Sequence, residues 1–244
     1  MILHIPHSSI NFPNREGFLI NEEELNNEVL KLTDWYTDEL FETKDSTVIK
    51  AEFSRIFCDT ERFSDNEKEV MYRFGMGVLY EKSDNGSSIR IVNEELRNKI
   101  LDNYYWKHHN DFSKAVLSNL EELNKCLIVD CHSFPDIPLK RDLDQSLNRP
   151  DFNIGTDSFH TPKLLIDESI KFFKNKGYSL GVDKPYSGSI VPMDFYQKDK
   201  RVSSIMLEIN RKLYLGEGTN NKSKNFNEIK SITQEYVNLM SKLY

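Results

Sequence analysis

The apolar positions of this chain fall into two periods. Short continuous runs occur at ILHI, VIKAEF, CLIVD, YSLGV and SIMLEI, each bounded by Pro, Gly, Ser or charged residues, the pattern of strands buried on both faces. Between them, apolar residues recur every three or four positions. Asn21 before Glu22, Glu23 and Glu24, and Asn93 before Glu94 and Glu95, place a cap and first-turn acids at two helix starts, the second opening a long helix that runs past Leu120. Thr161-Pro162 opens a further helix through Phe173, closed by Gly177, and the last runs from about Phe226 to Leu243 on Ile229, Ile232, Tyr236, Val237 and Met240. Strands alternating with helices predict an α/β fold: three layers, α/β/α, with a mostly parallel or mixed central sheet. No repeat, low-complexity tract or linker divides the chain, so residues 1–244 read as one domain.

In such folds ligands gather at the carboxyl ends of the strands, and there the apolar pattern is broken. LIVDCHSF carries Asp130 and His132, which alternation puts on one side of the strand with Cys131 on the other. ILHI runs into His7, VIKAEF into Arg55, Asp59 and Arg62, and SIMLEI holds Glu208, followed by Asn210 and Arg211. A carboxylate inside Ile-Met-Leu-Glu-Ile needs a partner or a task, because an unpaired buried charge is strongly penalised. Two histidines and one carboxylate with a position left open for water make a catalytic zinc site. Zinc lowers the pKa of its water towards 7, and a nearby glutamate can move the proton. His7 and His132 are the natural ligands and Glu208 the natural base.

Composition narrows the partners. The balance of 32 basic to 39 acidic residues, a net charge of −7, lacks the basic footprint of a nucleic-acid binder. No apolar run approaches a membrane span and no signal-like segment opens the chain, so a cytoplasmic, soluble protein is expected. Cys58, Cys126 and Cys131 form no C-x-x-C pair, which leaves any metal to histidines and carboxylates.

Six stretches, in order, resemble the N-formylglutamate amidohydrolase family, whose members share a zinc-carboxypeptidase-like α/β/α fold: His4-Ile-Pro-His-Ser-Ser9, Thr33-Asp-Trp35, Ser54-Arg55 with Asp59 and Arg62, Asp130-Cys-His-Ser133, Pro185-Tyr-Ser-Gly188, and Glu208 to Tyr214. The resemblance implies a zinc ion on His7, His132 and a third ligand, with Glu208 as general acid/base. Asp34 matches the family's Thr-Asp-Trp and is preferred as that ligand over Asp38, one turn on along a helix that Thr33-Asp34 would open; Asp34 equally suits a helix start with no metal. Arg55, Arg62 and Arg211 are the candidates for binding a small anionic amino-acid-derived substrate, since guanidinium groups bind carboxylates bidentately. Tyr186 and Ser187 offer hydroxyls to the substrate or its oxyanion. Asp59, Asp130, His109 and Asn210 are expected behind these groups; His160 is expected either there or as a cap of the helix at Pro162. The chain departs from the family at Glu61-Arg62, where Asn-Arg is frequent, so an extra negative charge stands beside a carboxylate-binding arginine. The implied activity is zinc-dependent hydrolysis of an N-formyl amino acid, with N-formyl-L-glutamate first. Its rivals are a deacylase or peptidase for other N-acyl amino acids or short peptides, and a non-catalytic module that binds acidic metabolites.

Overall fold

The computed structural model describes residues 1–44 and 46–244. Six strands, β1 (Ile2–Ile5), β2 (Thr47–Lys50), β3 (Cys126–Phe134), β4 (Phe152–Gly155), β5 (Leu180–Val182) and β6 (Val202–Asn210), form one sheet in the order β2-β1-β3-β6-β4-β5. Neighbours are parallel except β4 and β6, which makes the sheet mixed. Helices α1 (Glu22–Leu32), α2 (Thr37–Leu40), α3 (Glu94–Ile100), α4 (Trp106–Leu123), α5 (Lys163–Lys176) and α6 (Phe226–Leu243) complete the chain.

Alternation along the strands sorts the layers. Leu127, Val129 and Cys131 of β3 and Ile205, Leu207 and Ile209 of β6 join the cluster formed with Leu40, Phe173, Tyr236 and Met240 of α2, α5 and α6. Their neighbours Cys126, Ile128 and Val202 face the other way, onto Phe112, Val116 and Leu120 of α4. The expected three-layer α/β/α architecture results.

Most element ends follow local chemistry. Asn21 and Glu24 form a reciprocal capping box on α1, Asn93 caps α3, and Gly177 closes α5 at φ 82°. The long helix expected from Asn93 is interrupted by a π-helical turn, Leu101–Tyr105, which turns the Tyr105 hydroxyl to donate to the Arg62 carbonyl at 2.9 Å. Thr33 ends α1 instead of opening a helix, so Asp34 lies in the bend between α1 and α2. The strand expected at VIKAEF stops at Lys50. Strand β4, FNIG, is an addition to the expected set: four residues with a polar one among them carry almost no period. No helix of the described residues is long and apolar enough to cross a membrane.

Candidate active site

Both long strands bury all nine of their residues, so Asp130, His132 and Glu208 stand inside the sheet and not at its rim. Their placement follows from register: His4 pairs with Asp130, His132 with Glu208, and Glu208 on its other side with Asn153. All of these side chains except Asn153's lie on strands whose earlier same-face residues, Ile2, Ile128 and Val202, pack with α4. Where the cover of α4 ends, that face turns polar.

The remaining members arrive on loops. His7 follows β1, and its carbonyl accepts the Asp34 N–H at 3.0 Å, which fixes the bend after α1 against the end of β1. Asp34 Oδ2 lies 3.1 Å from His132 Nδ1 and 3.6 Å from His7 Nδ1. The opposite ring edges are held by carboxylates: His7 Nε2 by Asp59 Oδ1 at 2.9 Å, and His132 Nε2 by Asp130 Oδ1 and Glu61 Oε1, each at 3.1 Å. Buried His7 Nδ1 has no hydrogen-bond partner, nor has Glu208 Oε2. Two imidazoles backed by carboxylates, with their other edges turned to the carboxylate of Asp34, make a donor set that could hold a metal ion and leave a position open.

Without a metal, protons take the charge. Burial opposes a charged His132, but Glu61, Asp130 and Asp34 together hold it well above the usual histidine range. Burial would raise the Asp34 carboxyl; the hydrogen bond from His132, the nearby ring of His7 and the charge of Arg211 outweigh it and keep Asp34 ionised well below the usual range. Glu208 has no such donors. Burial, with Asp34 and Glu61 adding to it against the charges of His132 and Arg211, pushes its carboxyl up to about 8.

His7, Asp34, Arg55, Arg62, His132, Tyr186, Ser187, Glu208 and Arg211 line one cavity of about 200 Å³. Their engagements differ. Arg55 is tied through Nε and Nη2 to Asp59 Oδ2, and Arg62 Nε stands 3.6 Å from the same oxygen without a hydrogen bond. Arg211 is held beneath the cluster: Nη2 donates to Asp34 Oδ1 at 2.7 Å and Nε to the Ser133 hydroxyl at 3.1 Å. The Tyr186 hydroxyl donates to Asp142 and accepts from Arg149, each at 3.1 Å. The loop that carries Tyr186 and Ser187 is seated by Asn153, whose amide donates to the Tyr186 carbonyl at 2.8 Å, and by Gly155, where a Cβ would stand 2.0 Å from the Gly188 carbonyl oxygen.

Among the groups expected behind the site, Asp59 and Asp130 touch the histidines directly. Asn210 lies apart from them, bound to Asp136 and the Pro150 carbonyl, and steadies the turn that carries Arg211. His109 packs on Tyr105 at 4.3 Å; its neighbour His108 reaches inward, Nε2 to Nε2 of His4 at 3.0 Å. His160 lies away from the cluster, its ring spanning the Val202 carbonyl and the Gln197 N–H. Asp38 is half exposed and pairs with Lys50. Three contributors have no role assigned from the sequence: Tyr80, whose hydroxyl donates to Asp59 at 2.9 Å, and two residues at the ends of matching stretches, Ser133, which seats Arg211, and His4, buried within β1.

The pattern of the N-formylglutamate amidohydrolase family matches residues 1–215. The chain belongs to that family. Membership makes it a relative of amide hydrolases and accounts for the order of its six motifs. Among solved structures, an N-formylglutamate amidohydrolase from Ralstonia eutropha JMP134 is similar over 99% of this chain and 92% of its own, with a TM-score of 0.86 and 21% identity. A gene product of Agrobacterium tumefaciens is similar over 99% and 88%, with a TM-score of 0.69 and 17% identity. At these identities the likeness speaks for the fold. No curated protein matches the chain in sequence.

Proposed function

We propose that the protein is a zinc-dependent amidohydrolase that cleaves the amide of an N-formyl or N-acyl amino acid, N-formyl-L-glutamate first, to formate and L-glutamate. The observation that carries this reading is Glu208: a buried carboxyl with an unpartnered oxygen, side by side in register with His132 and facing the cavity that His7 and Asp34 share.

His7 Nδ1, His132 Nδ1 and Asp34 Oδ2 are the atoms that would hold the metal. When bound there, zinc supplies a Lewis acid for the scissile carbonyl and lowers the pKa of a water molecule. Asp59 and Asp130 keep the two rings turned with Nδ1 inward, and Arg211 holds Asp34 against them. Glu208 takes a proton from the attacking water and returns it to the departing nitrogen; burial raises its carboxyl above the usual range, to about 8 in the metal-free chain, which makes it the stronger base once ionised. Arg55 and Arg62 turn their remaining guanidinium nitrogens to the substrate carboxylates, while Asp59 fixes both side chains from behind. A second reading, another N-acyl amino acid or a short peptide, is favoured by a groove of about 530 Å³ that adjoins the cavity, sharing Lys31, Pro135, Leu139 and Arg211 with it.

The test is formate release from N-formyl-L-glutamate by the zinc-loaded protein, beside a chelated sample and Glu208→Gln. The substitution is expected to lower the rate about 10²- to 10⁴-fold, and chelation to abolish it. Retained zinc with no formate would sink the formyl substrate and send the search to longer acyl groups and dipeptides.

A further inference from the structure

Behind the three candidate ligand atoms lies a second convergence of donors. His4 Nδ1 stands 2.8 Å from Asp130 Oδ1 and 3.7 Å from Glu61 Oε1, and the three atoms lie within 4.8 Å of one another. A tetrahedral zinc with bonds near 2.1 Å sets neighbouring ligand atoms about 3.4 Å apart, so these separations bracket the required edge. We propose that His4 Nδ1, Asp130 Oδ1 and Glu61 Oε1 form a second divalent-metal site next to the first.

Asp130 Oδ1 is shared between His4 Nδ1 and His132 Nε2, and the Glu61 carboxylate is served sparsely. Among the described residues, the one donor hydrogen-bonded to the Glu61 carboxylate is His132 Nε2, and it is equally distant from Asp130 Oδ1, at 3.1 Å to each. A single N–H cannot serve both oxygens fully. Carboxylate oxygens carry two lone pairs, so Asp130 and Glu61 can bind a metal and still accept from His132.

The surroundings suit an ion. His4 is fully buried, stacked on Phe112 at 4.7 Å, with Nε2 against His108 Nε2. His108 Nε2 lies within hydrogen-bond distance of His4 Nε2 and can accept its proton, which leaves the lone pair of His4 Nδ1 for the metal. The Asp130 Oδ2 oxygen accepts the Ile190 N–H at 3.3 Å, and the Glu61 N–H donates to Asp59 at 3.1 Å. Glu61 is 18% exposed on the cavity wall and gives an ion its way in. One imidazole with two carboxylates suits a first-row divalent metal such as zinc, manganese or cobalt.

This inference rests on the proposed metal centre only through the shared His132–Asp130 contact, and metal counting separates the two. The full chain is saturated with Zn²⁺, dialysed, and its zinc measured per chain, with a thermal melt for each variant. Two ions are expected in the unmodified protein, one in Glu61→Gln and one in Asp34→Asn. One ion in the unmodified protein, unchanged in Glu61→Gln, overturns the second site and leaves the first standing; two ions retained by Glu61→Gln place the extra ion elsewhere and overturn it as well. No zinc at all overturns both. Should Glu61→Gln fail to fold, a Co²⁺ titration of the unmodified chain decides, by two end points against one.

Discussion

The two faces of the central sheet are built from the same strands and could hardly differ more. On the side of α5 and α6, Leu127, Val129, Cys131, Leu207 and Ile209 continue one apolar cluster to the ends of the strands. On the side of α4 the same strands begin with Cys126, Ile128 and Val202 and then carry Asp130, His132 and Glu208. One residue of displacement along the chain separates a core position from a reactive one. The contrast teaches that the closed face supplies the stability against which the other can keep charged groups in a dry environment, where they interact strongly.

The sharpest break of that contrast is thermodynamic. The Glu208 carboxyl, ordinarily near 4.5, is raised to about 8 by burial. The folded chain therefore binds this proton more tightly than the unfolded one. Its contribution to stability is complete below about pH 4.5 and is lost as the pH rises through about 8, a change on the order of 4 kcal/mol by linkage. Denaturant unfolding of the metal-free protein at pH 5 and pH 9 should show unmodified stability falling relative to Glu208→Gln. Parallel pH curves for the two proteins would show that Glu208 stays ionised in the folded chain.

On the other face the neighbouring position should behave oppositely. Leu207→Ala removes a fully buried side chain from the main cluster and is expected to cost about 3 kcal/mol with little dependence on pH. Urea midpoints for Leu207→Ala and Glu208→Gln in parallel measure the pair. A loss below about 1 kcal/mol for Leu207→Ala would mean that this face is not the stabilising one.

How much of this contrast the sequence displays depends on the range of the interactions involved. Continuous apolar runs marked β1, β2, β3, β5 and β6, and the caps at Asn21 and Asn93 marked two helices, because strand burial and capping are written in adjacent residues. The four residues of β4 are too few and too mixed to show a period, yet they make the sheet mixed and seat Tyr186. Asp130 and His132 share a side by alternation alone; that His4 joins Asp130, and Glu208 joins His132, is a matter of register between strands far apart in the chain. Arg211 shows the limit most clearly. As a residue type it suits a substrate carboxylate, and only the fold reveals that its nearest carboxylate is Asp34.

Between the faces stands the bend that carries Asp34, and its support gives the smallest effect. Helix α1 is fixed at its start by the reciprocal bonds of Asn21 and Glu24 and leads directly into Thr33 and Asp34. Removing the cap by Asn21→Ala should cost about 1 kcal/mol, measured as a small drop in the thermal midpoint. Because Asp34 is also pinned by the His7 carbonyl and by Arg211, its position should survive the loss, and zinc content should stay that of the unmodified chain. A fall in bound zinc in Asn21→Ala, out of proportion to so small a change in stability, would instead make the helix start part of the metal site's support, and the division between a stabilising face and a reactive one would have to be redrawn to include α1.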